Sequence, residues 1–345
     1  TRKESSAASD VYKRQSYKSV GMLATTVQEL RYMVFGSSGS VIITPSPLGT
    51  DTRRLYSSNS YNVIESIDFA KLAESADNIM CRTTDEYLAQ VVPTRKNNYT
   101  GLLQDYNLIT ICAESFCPWF ISEELTPTLY RMATKGIQFT DYYQPAWGGS
   151  TTTGEFSNVT GLVPADVGMC MKQAVYQDLF LTMGHQLQKQ NYYSAAYHNH
   201  NADYYDRNKT HTKLGYDRFL ARYGGLEGIT PVWPESDLEM IDISVPQYID
   251  QQPFSIYYMT VSGHCGYSLK DNAMSRKNYD LVDYDGSEAV KCYLASQLEL
   301  EKAMESLIRQ LEEAGIADDT VIVISPDHYP VSYTHLRAHE TKANL

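Results

Sequence analysis

An α/β fold, with helices sandwiching a central, mostly parallel sheet, is predicted by two features of this 345-residue chain. Short apolar runs at 107–113, 254–261 and 320–325 lack the polar alternation of half-exposed strands, as strands covered by helices on both faces do. Between them lie stretches with helical spacing and helix end signals. Strands alternating with helices argue for a parallel sheet.

In chain order, residues 1–15 and 332–345 resemble translated adapter read-through and are set aside as appended tails. Residues 16–104 read as an N-terminal helical and linker segment. It comprises an amphipathic helix over 21–35, a Gly/Ser/Pro-rich run ending near Asn59, helical spacing over 64–92 and a polar stretch over 93–100. The main domain is expected over 105–331, opening with the strand 107–113 and truncated at the C-terminus, since the chain stops just past His328. Residues 126–136 carry Pro in the first turn and Gly at the end, which signals a helix, with a strand expected at 137–140. A helix over 178–191 precedes a strand over 192–198. After the strand 254–261, an amphipathic helix over 296–314 feeds the last strand, 320–325.

The formal net charge is −12, and roughly −15 once the tails are removed. An acidic body argues against nucleic-acid binding, which needs a basic footprint. An anionic substrate would need positive charge supplied locally. The cysteines at 81, 112, 117, 170, 265 and 292 form no C-x-x-C pair and read mostly as small core residues. No apolar run approaches the roughly 20 residues of a membrane span, and no signal peptide is visible.

Ligands of parallel sheets gather at the carboxyl ends of the strands. Glu114 directly follows the run 107–113, and Asp327-His328 follows 320–325. Thr151 lies in Trp147-Gly-Gly-Ser-Thr-Thr-Thr-Gly-Glu155, where Thr152 and Glu155 have capping-box spacing. A helix start there is a structural feature first, but its free N–H groups and dipole also suit a phosphoryl oxygen. Glu, Asp and His are donors for Mn²⁺, Mg²⁺ or Zn²⁺, and a hydroxyl beside such an ion becomes more acidic and a better nucleophile. These residues are therefore candidates for one metal-activated pocket.

Several motifs in order then make a resemblance plain. They are Glu114 in Cys-Ala-Glu-Ser-Phe, the helix after Thr126-Pro-Thr-Leu129, and Gly148-Gly-Ser-Thr-Thr-Thr-Gly-Glu-Phe156. His198-Asn-His-Asn-Ala-Asp-Tyr-Tyr-Asp-Arg207, Leu214-Gly-Tyr-Asp217, Thr260-Val-Ser-Gly-His264 and Pro326-Asp-His328 complete the set. Over about 107–330 the chain resembles the lipoteichoic acid synthase family of the sulfatase and alkaline phosphatase superfamily. The resemblance implies an alkaline phosphatase/sulfatase-like catalytic domain. It also implies Glu114, Thr151, Asp327 and His328 as ligands of one divalent cation, typically Mn²⁺, with Mg²⁺ or Zn²⁺ as alternatives, and Thr151 as nucleophile. Arg207, His264 and Tyr205 would contact the substrate phosphate or glycerol. A guanidinium reads a phosphate bidentately, and a histidine transfers a proton to or from a leaving oxygen. Pro326 stands where the family commonly has Gly, Tyr205 where Trp is common, and Ser150, Thr152 and Thr153 replace more usual residues. None of these changes removes a ligand.

The implied function is a metal-dependent phosphoglycerol transferase. Its donor would be phosphatidylglycerol or a related anionic lipid, and its acceptor a glycolipid or polyglycerophosphate. By the same resemblance, membrane helices would precede the domain and hold it outside the cell membrane of a Gram-positive bacterium. Two alternatives stay open. One is a phosphodiester or sulfate ester hydrolase of the same superfamily, although the C/S-x-P-x-R signature of sulfatases that mature a formylglycine is absent. The other is a noncatalytic module binding glycolipid or teichoic acid.

Overall fold

The computed structural model describes residues 57–330, apart from 66, 141, 144–149, 165–169 and 177–178. The expected helix at 21–35, most of the run after it and both tails lie outside the described residues. The chain divides into two compact units after Gln104.

In the first unit the helical spacing over 64–92 is broken into α1 (Phe69–Ser75) and α2 (Ile79–Gln90). Each has its own cap. The Asp68 side chain accepts from the Lys71 N–H, and Asn78 accepts from the Cys81 N–H at 2.9 Å. Extended backbone at Ala76 ends α1, and Asn78, also extended, starts α2 as its N-cap.

The second unit is built on a parallel sheet. Its strands are β1 (Asn107–Ala113), β2 (Tyr193–Asn201), β3 (Arg218–Arg222), β4 (Phe254–Met259) and β5 (Thr320–Pro326), in the order β3-β2-β4-β1-β5. Among the described residues its α-helices of six residues or more are α3 (Pro127–Lys135), α4 (Ser150–Thr160), α5 (Met183–Gln188), α6 (Arg207–Lys213), α7 (Asp237–Ser244), α8 (Ala273–Asn278) and α9 (Glu288–Glu313). Ile109, Ile111 and Ala113 of β1, Tyr197 of β2 and Ile256 and Tyr258 of β4 enter one core with residues of α7 and α9. Cys112, Ala196, Tyr257 and Met259 point the other way, to Val159 of α4 and to Met171, Leu214 and Tyr216. Successive strand side chains thus find apolar cover on both faces, which explains the uninterrupted apolar runs.

Three expectations are corrected. Residues 137–140 form no strand, and Ile137 and Phe139 stand 71% and 77% exposed, because no neighbouring strand offers them a ladder. The last helix starts at Glu288 and not at 296: Ser287 caps it by accepting from the Val290 N–H, and Val290, Cys292 and Tyr293 are buried in its first two turns. α5 is shorter than 178–191, running only from 183 to 188, and Asn191 has a left-handed φ of 63° that takes the chain out toward β2. β3, α6, α7 and α8 are not among the elements the sequence reading predicts, although Ser236 and Glu239 have capping-box spacing at the start of α7.

Candidate active site

Parallel register brings the strand ends together. β1 pairs with β5 from Asn107↔Thr320 to Ala113↔Pro326, and with β4 up to Cys112↔Met259. Glu114, Asp327 and Thr260 therefore leave the sheet side by side. One ligand atom each of Glu114, Asp327 and His328 lies within 4.8 Å of the others, and all three residues are buried. His328 Nε2 is 3.2 Å from Glu114 Oε1 and 3.3 Å from Asp327 Oδ2. The Ser115 N–H donates to Asp327 Oδ1 at 2.8 Å, the Ser115 hydroxyl to Glu114 Oε1 at 3.1 Å, and the Glu114 N–H to Thr260 Oγ1 at 3.0 Å.

Thr151 joins them from the first turn of α4. Its Oγ1 is 3.2 Å from Glu114 Oε2 and 3.3 Å from His328 Nε2. The close approach depends on Gly154, because a Cβ there would fall 1.7 Å from the Asp327 carbonyl oxygen. α4 begins at Ser150, so Thr152 is not the N-cap that its spacing with Glu155 suggested. Thr152 and Glu155 are buried inside the helix, and Glu155 is turned to other partners.

The electrostatics suit a cation. Burial and the charge of Glu114 push Asp327 up to about 8. Burial also disfavours charge on Glu114, but the hydrogen bond and charge of His328 prevail and hold it at about 2. Burial works against the His328 imidazolium, yet Asp327 and Glu114 lift it to about 10. Two carboxylates and an imidazole packed this tightly are in conflict over protons, which a divalent ion would relieve. Two oxygen donors, an imidazole nitrogen and a hydroxyl form a set matched to Mn²⁺, Mg²⁺ or Zn²⁺.

His264, half-buried, follows β4 on the loop 260–264, with its ring edge-on to Trp233 at 4.7 Å between centroids. Burial opposes its charge, but contact with the Cys265 thiol and the field of Glu114 raise its pKa. Tyr205 lies with its ring 5.3 Å from the Arg207 guanidinium, and both Tyr205 and Asp206 have left-handed φ. Arg207 is placed differently from a group that meets solvent or ligand. It is fully buried, its Nε 3.0 Å and its Nη2 2.8 Å from the Glu155 carboxylate, and its Nη1 donates to His198 Nε2 at 3.2 Å. His198 Nδ1 in turn meets the Met259 carbonyl at 2.9 Å. Burial and then the Arg207 charge push His198 far below its usual range, so it is a neutral acceptor.

Sequence reasoning missed three elements of this region. Glu155 is the counter-ion of Arg207 and also lies 3.2 Å from His211 Nε2. Asp237 holds the loop that carries His264. His200 sits 2.7 Å from the buried Glu235, which also pairs with Arg222 at 2.9 Å. The only available signal at Glu155 was an ionisable residue in a helix that otherwise carries no charge.

A parallel sheet with an acidic, histidine- and threonine-bearing centre at its carboxyl edge is the architecture of the alkaline phosphatase and sulfatase superfamily. Residues 107–345 match the family model described as Sulfatase, so the chain belongs to the sulfatase family, as a lipoteichoic acid synthase-like member. Lipoteichoic acid synthase 1 of Bacillus subtilis is 27% identical over 254 residues, covering 70% of this chain and 39% of that protein. The lipoteichoic acid synthase of Staphylococcus aureus is 26% identical over 258 residues, 70% of this chain and 38% of its own. Among solved structures, the lipoteichoic acid synthase LtaP of Listeria monocytogenes aligns with a TM-score of 0.56 at 25% identity, covering 71% of this chain and 61% of that one. The chain thus spans about two fifths of the length of the curated relatives it matches.

Proposed function

We propose that the chain is the catalytic domain of a metal-dependent phosphoglycerol transferase that acts on phosphatidylglycerol or a related anionic lipid through a covalent threonine intermediate. The observation that carries this reading is the Thr151 hydroxyl, held 3.2 Å from the Glu114 carboxylate and 3.3 Å from His328 at the first turn of a helix. Glu114, Asp327, His328 and Thr151 would hold one divalent cation, Mn²⁺ by the family resemblance, which supplies Lewis acidity and neutralises charge when bound.

The residues of the chain carry the remaining work. Thr151 directs its proton to Glu114 and its oxygen to phosphorus. A bond forms from Thr151 Oγ1 to phosphorus, and the bond to the diacylglycerol oxygen breaks. His264, raised toward its protonated form, gives that oxygen its proton. An acceptor hydroxyl, on a glycolipid or on a growing polyglycerophosphate, then attacks the same phosphorus and gives its proton to His264, while the bond from phosphorus to Thr151 Oγ1 breaks and Thr151 takes its proton back from Glu114. Burial of Thr151 limits competition by water. Tyr205, half-buried beside Arg207, would contact the substrate. Arg207 enters through Glu155 and α4, as a buried cation that fixes the helix bearing Thr151.

The same reading makes the protein extracellular and anchored to the membrane of a Gram-positive bacterium, in keeping with the relatives' organisms. Among the described residues, no helix is long and apolar enough to cross a membrane.

The test is Thr151→Ala with Mn²⁺ and a labelled phosphatidylglycerol analogue. Headgroup transfer should vanish, while Thr152→Ala should retain most of it. Mass spectrometry should map the glycerophosphoryl group to Thr151 in the parent protein. A label on Thr152 or Thr153 would name the wrong hydroxyl, and turnover without an adduct would favour direct hydrolysis.

A further inference from the structure

His264 makes no strong side-chain bond that would fix its ring. Its Nδ1 lies 3.4 Å from the Cys265 carbonyl oxygen and 3.6 Å from the Cys265 thiol, both on the adjoining residue, and its ring meets the Trp233 ring edge. The direction of its imidazole is therefore set by the backbone of the loop 260–264. That loop is pinned at three points. The Asn272 side chain donates to the His264 carbonyl at 2.9 Å. Gly263 is wedged where a Cβ would lie 2.3 Å from both the Glu114 carbonyl oxygen and Gln297 Nε2. The third point is Asp237, at the first position of α7 and 1% exposed.

Asp237 Oδ1 accepts from the Val261 N–H at 3.0 Å, the Ser262 N–H at 3.2 Å and the Asn199 side chain at 2.7 Å. Its other oxygen accepts from the Ser262 hydroxyl. Two of these donors are consecutive amides of the loop, and His264 follows two residues later. The residue before them, Thr260, receives the Glu114 N–H, so the same backbone segment also seats a carboxylate of the acidic centre. A buried carboxylate with this many converging donors ties the start of α7 to the turn after β4. An apolar residue at 237 would leave two buried amides without partners.

We propose that Asp237 is the positioning residue for His264: by gathering the Val261 and Ser262 amides and the Ser262 hydroxyl, it sets where the imidazole stands relative to Thr151 and Glu114. The assignment rests on the transfer reading for its catalytic consequence, but the placement of the loop stands apart from it. Asn at 237 keeps a carbonyl oxygen for the two amides and offers its NH₂ to the Ser262 oxygen, with the hydroxyl turned round. It is therefore the conservative variant that restores the geometry.

The experiment has two arms. In the first, with no substrate, hydrogen exchange of the Val261 and Ser262 amides and the ¹⁵N signals of the His264 ring are recorded for the parent, Asp237→Ala, Asp237→Asn and Ser262→Ala. Protection should be lost and the His264 signals displaced in Asp237→Ala, and largely retained in Asp237→Asn. Ser262→Ala, which removes one bond only, should show a smaller displacement and serves if Asp237→Ala does not fold. Unchanged exchange and ring signals in the folded variants overturn the proposal.

In the second arm, turnover of the phosphatidylglycerol analogue is measured for Asp237→Ala, His264→Ala and the double variant. A displacement on the order of 1 Å costs about a hundredfold in rate, so Asp237→Ala should lower kcat by roughly that factor with little change in KM. It should cost almost nothing further once His264 is gone. Losses that multiply in the double variant would show that Asp237 acts by another route. A parent protein with no turnover at all would count against the transferase reading, and the first arm would still decide the proposal.

Discussion

Replacing Glu155 by Gln changes one oxygen to an amide and removes one charge from the interior of the second unit. Glu155 is fully buried, and its carboxylate faces Arg207 Nη2 at 2.8 Å and His211 Nε2 at 3.2 Å. Burial alone would raise its pKa, but the Arg207 charge and the His211 hydrogen bond prevail and bring it from 4.5 down to about 2. At about 1.4 kcal/mol per pH unit, that difference corresponds to about 3 kcal/mol in favour of the folded state. Removing one partner of a buried ion pair, which strands the other charge, costs about 3–5 kcal/mol by a separate line of reasoning. The two agree.

The sign follows from the direction of the shift. A carboxyl depressed in the folded state contributes fully above its unfolded pKa of 4.5, and the contribution is lost as pH falls toward about 2. Urea unfolding of parent and Glu155→Gln should therefore differ by about 3 kcal/mol at pH 7. The difference should shrink steadily below pH 4.5. Because Glu155 lies one turn after Thr151 on α4, transfer activity should fall with it. A difference under about 1 kcal/mol, or one that does not change between pH 5 and pH 3, would refute the argument that this pair is a net stabiliser.

Gly154→Ala should be more damaging than any ordinary helix substitution. Its Cβ would lie 1.7 Å from the Asp327 carbonyl oxygen, so α4 or the end of β5 must move by about an ångström or more. Activity should fall about a hundredfold, with a lower melting temperature read by circular dichroism. Glu301 of α9 caps α3 by accepting the Thr128 N–H at 2.7 Å and the Leu129 N–H at 2.9 Å. Glu301→Ala should cost about 1–2 kcal/mol in chemical unfolding and leave transfer by the folded protein unchanged. Added Mn²⁺ should raise the melting temperature, and less at pH 6 than at pH 8. Burial and Glu114 push Asp327 to about 8, so at lower pH the ion must displace a proton to bind.

What the sequence determined by itself was four strands of the sheet, β1, β2, β4 and β5, and the chemistry at the ends of β1 and β5. The runs at 107–113, 254–261 and 320–325 are apolar because β1, β4 and β5 are covered on both faces. Their last residues point to one edge because parallel strands share a direction. Glu114 and the Asp327-His328 pair could thus be read as neighbours although more than 200 positions separate them. Local pattern went astray where a tertiary partner decides the outcome. Residues 137–140 have strand-like composition but no strand to pair with. The spacing of Thr152 and Glu155 mimics a capping box, yet Glu155 is drawn inward by Arg207, 52 positions away. Arg207 could only be read as a surface or substrate-facing charge, because a buried ion pair between distant segments leaves no periodic trace. Gly154 and Asp237 are of the same kind. The need for each is set by an atom of another strand or loop, the Asp327 carbonyl for one and the Val261 and Ser262 amides for the other. Backbone approach at that distance exists only once the chain has folded.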